Sequence, residues 1–233
     1  MLAQIFHKYI ADLLPCHCEL CLLPIHTGTA SSSFCAVCLG YFAPIERCLR
    51  CGLPCVDEPE QCGHCLKRPP LWHRLYCVGD YQLPLASYVH RLKYQRQFWQ
   101  ADKLAQLLSG QITQPAELIT YVPLHWQRAA WRGFNQSERL AHALAKQLAI
   151  PCASLFRRTH ATRPQQGLNR AQRLANLTDV FALKSLPNMS RIAIVDDVVT
   201  TGSTVQHLCK LLLDAGVKNV DIYCICRTPD PVS

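Results

Sequence analysis

Apolar positions along this chain follow two regimes. Up to about residue 66 they show little period and are interleaved with cysteines. From about Tyr76 onward they recur at the spacings of strands and helices. Leu85, Tyr88, Val89 and Leu92 share one helix face, which predicts a helix over Leu85–Gln97, and Ala101–Leu108 continues as helix. Leu118-Ile119-Thr120-Tyr121-Val122 predicts a short strand ended by Pro123, which has no N–H to give a ladder. A helix is predicted over Asn135–Leu148, with Asn135 and Ser137 as candidate caps and Leu140, Leu144 and Leu148 on one face. Ile192-Ala193-Ile194-Val195 is apolar throughout, the pattern of a strand covered on both faces of a parallel sheet. Ser203–Ala215 reads as a helix stopped by Gly216, and Val220–Ile225 as another strand. Strands and helices alternating in this way predict an α/β domain with a mostly parallel sheet.

The cysteines change the picture of the first region. Eight of the 15 form four Cys-x-x-Cys pairs: Cys18/Cys21, Cys35/Cys38, Cys48/Cys51 and Cys62/Cys65. Each pair sets two thiolates on one tight turn, the spacing of a zinc knuckle. The pairs are separated by 13 residues (Cys21 to Cys35) and 10 residues (Cys51 to Cys62), so they predict two four-cysteine sites for two structural Zn2+ ions. Sequential pairing is expected over interleaved pairing, and the two halves read as one unit used twice. Cys16, Cys55, His17 and His64 lie nearby and are expected to be bystanders. Cys77, Cys152, Cys209, Cys224 and Cys226 read as small core residues. Arg68-Pro69-Pro70 marks the boundary, because consecutive prolines stop regular structure. Two domains are therefore expected: a double zinc ribbon over residues 1–68 and an α/β domain over residues 69–233.

Charge then separates the two by task. The chain carries a formal +8. Residues 1–66 hold 3 basic and 6 acidic side chains, whereas residues 67–173 hold 16 basic and 4 acidic. Zinc binding would make the first segment more negative still, since it releases the thiol protons. The central segment is the one that attracts an anion. Met1–Leu14 reads as a short amphipathic helix that Lys8 and Asp12 interrupt, so it lacks the apolar core of a signal peptide. No apolar run approaches the roughly 20 residues that span a bilayer. A cytoplasmic protein without a membrane span is expected.

The most informative stretch follows the strand Ile192–Val195. Asp196 and Asp197 come first, then Thr200, Thr201, Gly202, Ser203 and Thr204 lead into a helix. In parallel α/β sheets ligands bind at the carboxyl ends of strands. A glycine-containing loop that opens a helix presents unpaired N–H groups and the positive dipole end to a phosphate. Two carboxylates beside such a nest make sense if they face hydroxyl donors or Mg2+. A ribose 5-phosphate with free 2- and 3-hydroxyls supplies all of these partners. Neither a Walker loop nor a dinucleotide fingerprint is present.

Residues 192–204 resemble the phosphoribosyl-pyrophosphate (PRPP) motif of type I phosphoribosyltransferases. The resemblance extends to the ComF family of bacterial competence and DNA-utilisation proteins, with a finer likeness to its GntX-type members. It rests on Val122-Pro123-Leu124-His125 followed by Arg132-Gly133-Phe134-Asn135-Gln136-Ser137, and on Pro164-Gln165-Gln166-Gly167-Leu168 with Arg170, Arg173 and Asn176 behind it. The double cysteine ribbon is the third feature. The resemblance implies a type I phosphoribosyltransferase-like α/β fold with a mostly parallel sheet, preceded by a small double zinc-ribbon domain. It also implies that Asp196 and Asp197 bind the ribose hydroxyls and that Thr200, Thr201, Gly202, Ser203 and Thr204 bind the 5-phosphate. Pyrophosphate would meet Leu124, His125 and Arg128 on the loop Pro123–Arg128, and Arg132 just beyond it. Residues about 159–170, with Arg163 and Arg170, would form a loop that closes over Mg-PRPP.

Two functions compete at this point. One is a Mg2+-dependent phosphoribosyltransferase or PRPP-binding protein that serves DNA uptake. The other is a noncatalytic module that uses the fold as scaffold or sensor and binds single-stranded DNA and protein partners. Twelve of the 19 aromatic residues fall in the basic segment, and Trp126, Trp131 and Phe134 sit among Arg128, Arg132 and Arg139. Aromatics interleaved with arginine suit single strands, through stacking and phosphate contact.

Overall fold

The computed structural model describes residues 17–25, 33–56, 60–124, 133–159, 180–185 and 188–228. The predicted helix over Met1–Leu14 lies outside them. By packing, the chain divides into residues 1–43 and 44–233. The second cysteine ribbon, drawn on composition with the first, thus shares its unit with the α/β body.

In the first unit Cys18 N–H donates to the Leu23 carbonyl (2.8 Å) and Leu22 N–H to the Cys18 carbonyl (2.8 Å). Leu22 adopts φ 61° to close this turn. Helix α1 (Ala36–Leu39) is capped by Cys35, whose Sγ accepts from Cys38 N–H. Phe34 and Phe42 pack with ring centroids 4.9 Å apart.

The second unit opens with the same knuckle thirty positions on. Cys48 N–H donates to the Leu53 carbonyl (2.9 Å) and Gly52 N–H to the Cys48 carbonyl (2.8 Å), with Gly52 at φ 72°. Both turns need a left-handed residue; glycine takes that conformation freely and Leu22 does not. Of the second pair of ligand candidates, Cys65 lies on a short helix α2 (Gly63–Lys67) and Cys62 caps its amino end.

A four-stranded parallel sheet forms the body. Its strands are β1 (Arg74–Asp80), β2 (Leu118–Tyr121), β5 (Arg191–Val199) and β6 (Asn219–Arg227), in the spatial order β1-β6-β5-β2. Helices α3 (Leu85–Tyr94), α4 (Gln100–Ser109) and α5 (Gln136–Leu148) contact these strands, as does α6 (Ser203–Asp214). Strands β3 (Phe156–Arg158) and β4 (Phe181–Leu183) pair antiparallel, and β4 lies against α6. Ile192, Ala193, Ile194 and Val195 have no solvent exposure, as a strand flanked on both edges and covered on both faces requires. Ile192 and Ile194 join Val205, Leu208, Cys209 and Leu212 of α6, together with Phe156 and Phe181, in one apolar cluster.

Boundaries differ from the sequence pattern where long-range partners decide. The first α/β helix stops at Tyr94, because Arg96 turns to φ 54° and ends the helical path. The apolar strand of four residues becomes a strand of nine, since β6 offers ladder partners as far as Arg227. Asp196 therefore sits inside the ladder, opposite Cys224. The carboxyl cap of α6 follows expectation, with Gly216 at φ 93° just beyond it. Among the described residues no helix is long and apolar enough to cross a membrane.

Candidate active site and metal centres

Alternation along β5 points successive side chains to opposite faces. Asp197 is turned toward α3 and is 4% exposed. Lys93 on α3 reaches it, with Nζ 3.0 Å from Oδ1. Asp197 Oδ2 is buried and has no hydrogen-bond partner among the described residues. Asp196 is half-buried, and its Oδ1 accepts from the Ser137 hydroxyl (3.0 Å) and from the Asp197 N–H (2.9 Å). Burial and the Asp197 charge push the Asp196 carboxyl up to about 7, against the pull of Lys93 and the two hydrogen bonds. Burial works to lower the Lys93 ammonium, yet the Asp197 carboxylate more than compensates and holds it above its ordinary value. The pair is thus split into one carboxylate fixed by an ammonium and one poised near neutrality.

Ser137 is held for this contact by the start of α5. Asn135 caps the helix by accepting from Ser137 N–H (3.1 Å), and its side-chain amide donates to the Val122 carbonyl (3.0 Å) at the end of β2. The predicted cap therefore ties the second strand edge to the acidic pair. Leu124 lies three residues beyond β2, at the same carboxyl edge of the sheet. His125, Arg128, Arg132, Arg163 and Arg170 lie outside the described residues.

Beyond Val199 the loop turns at Gly202, which has φ 73° and faces the Trp72 ring. A Cβ at Gly202 would stand 2.7 Å from Trp72 Cη2, so both the backbone and the close approach require glycine. Thr201 Oγ1 and Ser203 Oγ hydrogen-bond to each other (2.8 Å). Arg227 supports the loop from below: Nη1 donates to the carbonyls of Val199 (3.2 Å) and Thr200, and Nε to the carbonyl of Cys51 (3.0 Å) in the second ribbon. The sequence reading missed Lys93, Trp72 and Arg227. Lys93 had a signal, since it lies four residues after the buried Val89 and so carries a charge beside the apolar stripe.

The cysteines gather as two sets, Cys18/Cys21/Cys35/Cys38 and Cys48/Cys51/Cys62/Cys65, each with its sulfurs within 4.8 Å of one another. Sequential pairing is what the fold adopts. Sulfur separations of 3.9 Å (Cys21–Cys35), 4.0 Å (Cys48–Cys65) and 3.7 Å (Cys51–Cys62) approach the edge, about 3.8 Å, of a tetrahedron with ~2.3 Å Zn–S bonds. The donor set and its spacing fit zinc. Cys55, His17 and His64 stand outside both sets, and Cys16 lies outside the described residues.

Comparison with known proteins agrees with this geometry. Residues 135–232 match the phosphoribosyl transferase domain family. Over 228 residues the chain is 40% identical to the DNA utilization protein YhgH of Escherichia coli O157:H7, covering 92% of this chain and 98% of that one. It is 34% identical to competence protein F of Haemophilus influenzae, over 85% of this chain and 92% of the other. Competence protein ComFC of Streptococcus pneumoniae is 26% identical over 72% and 81%. A parallel sheet with the phosphoribosyltransferase match, two four-cysteine clusters in the earlier part of the chain, and relatives of this extent place the chain in the ComF family of competence and DNA-utilisation proteins.

Proposed function

We propose that the protein binds PRPP as its Mg2+ complex at the carboxyl edge of β5 and serves DNA uptake or utilisation in the cytoplasm. One observation carries the reading: a buried, unpartnered carboxylate oxygen on Asp197 lies directly ahead of a glycine-turned loop that opens a twelve-residue helix. A buried acceptor without a donor is costly, and ribose hydroxyls would satisfy it. Thr200 to Thr204 would then receive the 5-phosphate through backbone N–H groups, the hydroxyls of Thr201 and Ser203 exchanging their mutual bond for phosphate oxygens.

The remaining roles follow the same ligand. Leu124, His125, Arg128 and Arg132 would meet the pyrophosphate, and Arg163 and Arg170 would close over it. Mg2+ brought by the ligand supplies neutralising charge at the pyrophosphate. In the transfer this site suits, the bond from the anomeric carbon to pyrophosphate breaks and its electron pair leaves with pyrophosphate. A nitrogen nucleophile forms the new bond and gives up a proton. Arginines around the leaving group stabilise the charge it gains. The two cysteine sets would each hold one Zn2+ through four thiolates, which leaves no open position and a structural task only.

The test is calorimetric titration of Mg-PRPP into zinc-loaded protein beside an Asp196→Asn/Asp197→Asn variant. Binding by the first and its loss in the second are expected. Folded wild-type protein that does not bind Mg-PRPP refutes the proposal.

A second reading, single-stranded DNA binding, is favoured by a different surface. Phe98 and Trp99 are 40% and 55% exposed, and with Arg139, His142 and Lys146 they line a cavity of about 410 Å3. The Arg139 guanidinium lies 5.7 Å from the Phe98 ring centroid. Bases would stack on the aromatics while the cations meet phosphates. Trp99→Ala should weaken oligonucleotide binding, with affinity falling as salt rises. Equal binding by variant and wild type removes this reading.

A further inference from the structure

Within the second unit a cavity of about 230 Å3 opens between the cysteine ribbon and the loop that begins α6. His64 of α2 and Arg68 just after it line one side; Thr201, Ser203 and Gln206 line the other, with Arg227. Among the described residues no carboxylate lines it. Cys51 and Cys65 also border it, and four thiolates around Zn2+ would carry a formal −2. The two arginines offset that charge, which leaves the hydroxyls, His64 and the amino end of α6 to favour an anion.

The walls are fastened to one another. Trp72, packed on Gly202, donates through Nε1 to the Arg50 carbonyl (2.6 Å). Leu71 N–H donates to Gln206 Oε1 (3.2 Å), which keeps the amide nitrogen of Gln206 for another partner. Arg50 Nη2 donates to the Pro70 carbonyl (3.0 Å), and the Arg227 bonds to Cys51 and Thr200 complete the connection. A ribbon tied so closely to the loop shares a binding surface with it.

We propose that the second ribbon forms one wall of the phosphate end of the site, with His64 and Arg68 contacting the phosphomonoester of a bound ribose 5-phosphate group. This rests on the PRPP reading and adds to it two residues and a domain that its motif does not include. Neither residue is a cysteine of the metal clusters, and both are exposed, so their replacement removes no metal ligand and no buried side chain.

The experiment uses the full zinc-loaded chain and two probes that report on opposite ends of the site. Ribose 5-phosphate reports on the phosphate end, and Mg-pyrophosphate on the other. Arg68→Gln should weaken ribose 5-phosphate about tenfold, as loss of one charge-assisted hydrogen bond does, and His64→Ala should add a smaller loss. Mg-pyrophosphate affinity and zinc content should not change. Wild-type affinity for ribose 5-phosphate in the double variant overturns the wall while the PRPP reading stands. Equal weakening of both probes overturns it as well, since that would be a diffuse charge effect. Failure of wild-type protein to bind either ribose 5-phosphate or Mg-PRPP overturns both readings together.

Discussion

Replacing Lys93 by methionine would leave Asp197 as a lone charge in a nearly dry site. The Lys93–Asp197 pair is 3.0 Å apart, with side-chain exposures of 19% and 5%. At an effective dielectric constant of about 20, two charges at that distance attract by roughly 5 kcal/mol, before desolvation is subtracted. Desolvation takes much of this back, yet stranding one partner of a buried pair costs about 3–5 kcal/mol. Lys93→Met should therefore destabilise the protein by about 3 kcal/mol or more, and Asp197→Asn by somewhat less, because the ammonium can reach water along its stem. The double variant should be more stable than the sum of the single losses predicts, by about 2 kcal/mol. Urea unfolding of the four proteins at about pH 8 measures the cycle. Additive losses within about 0.5 kcal/mol would show that the pair does not hold the acidic site together, and the reasoning would fall.

Three further outcomes are expected. Asp196, held up at about 7, accepts ribose hydroxyls more strongly as the carboxylate than as the acid; ligand affinity should fall as pH drops through that value, by up to about tenfold one pH unit below it, with proton release on binding, and a flat profile from pH 6 to 8 would contradict this. The sign for folding is opposite: because the folded carboxyl binds its proton more tightly than the unfolded one, the contribution of Asp196 to stability is present at low pH and is lost as pH rises from about 4 to about 7. Gly202→Ala meets both a left-handed backbone and the Trp72 ring, so thermal unfolding should show a loss of about 2 kcal/mol, and an unchanged melting temperature would disprove the constraint. Cys48→Ser and Cys18→Ser should each lower the zinc content from two to one per chain, but only Cys48→Ser should lower the melting of the α/β body, since only that cluster shares its unit; equal effects would argue against the division at residue 43.

Local chemistry was legible wherever near neighbours in sequence decide the structure. The apolar run at Ile192–Val195, the Asn135 cap and the four Cys-x-x-Cys turns each act within a few residues, and the fold uses all of them. What pattern could not show were meetings of distant segments. Arg227 joins Cys51 to Thr200, and Lys93 joins α3 to β5; no local period records either. The strands β3 and β4 have three residues each, too few for alternation to register, and more than twenty residues of sequence separate them. Composition likewise grouped the two ribbons because both are rich in cysteine, whereas packing assigns the second to the α/β body.

The strand order has a consequence for how the molecule is made. β6 comes last in sequence among the described strands, yet it lies between β1 and β5 and hydrogen-bonds to both. A growing chain leaving the ribosome can complete its cysteine turns early and then β2 beside β5, but β1 must wait for β6. Until then two buried edges stand open, one on β1 and one on β5, each able to pair with a foreign strand. The β1 edge stays open while everything between Asp80 and Arg227 is synthesised, the β5 edge only from Val199 to Arg227. Emergence of β6, rather than of any earlier segment, is the moment at which β1 joins β5 in one sheet and Asp196 gains its ladder partner Cys224.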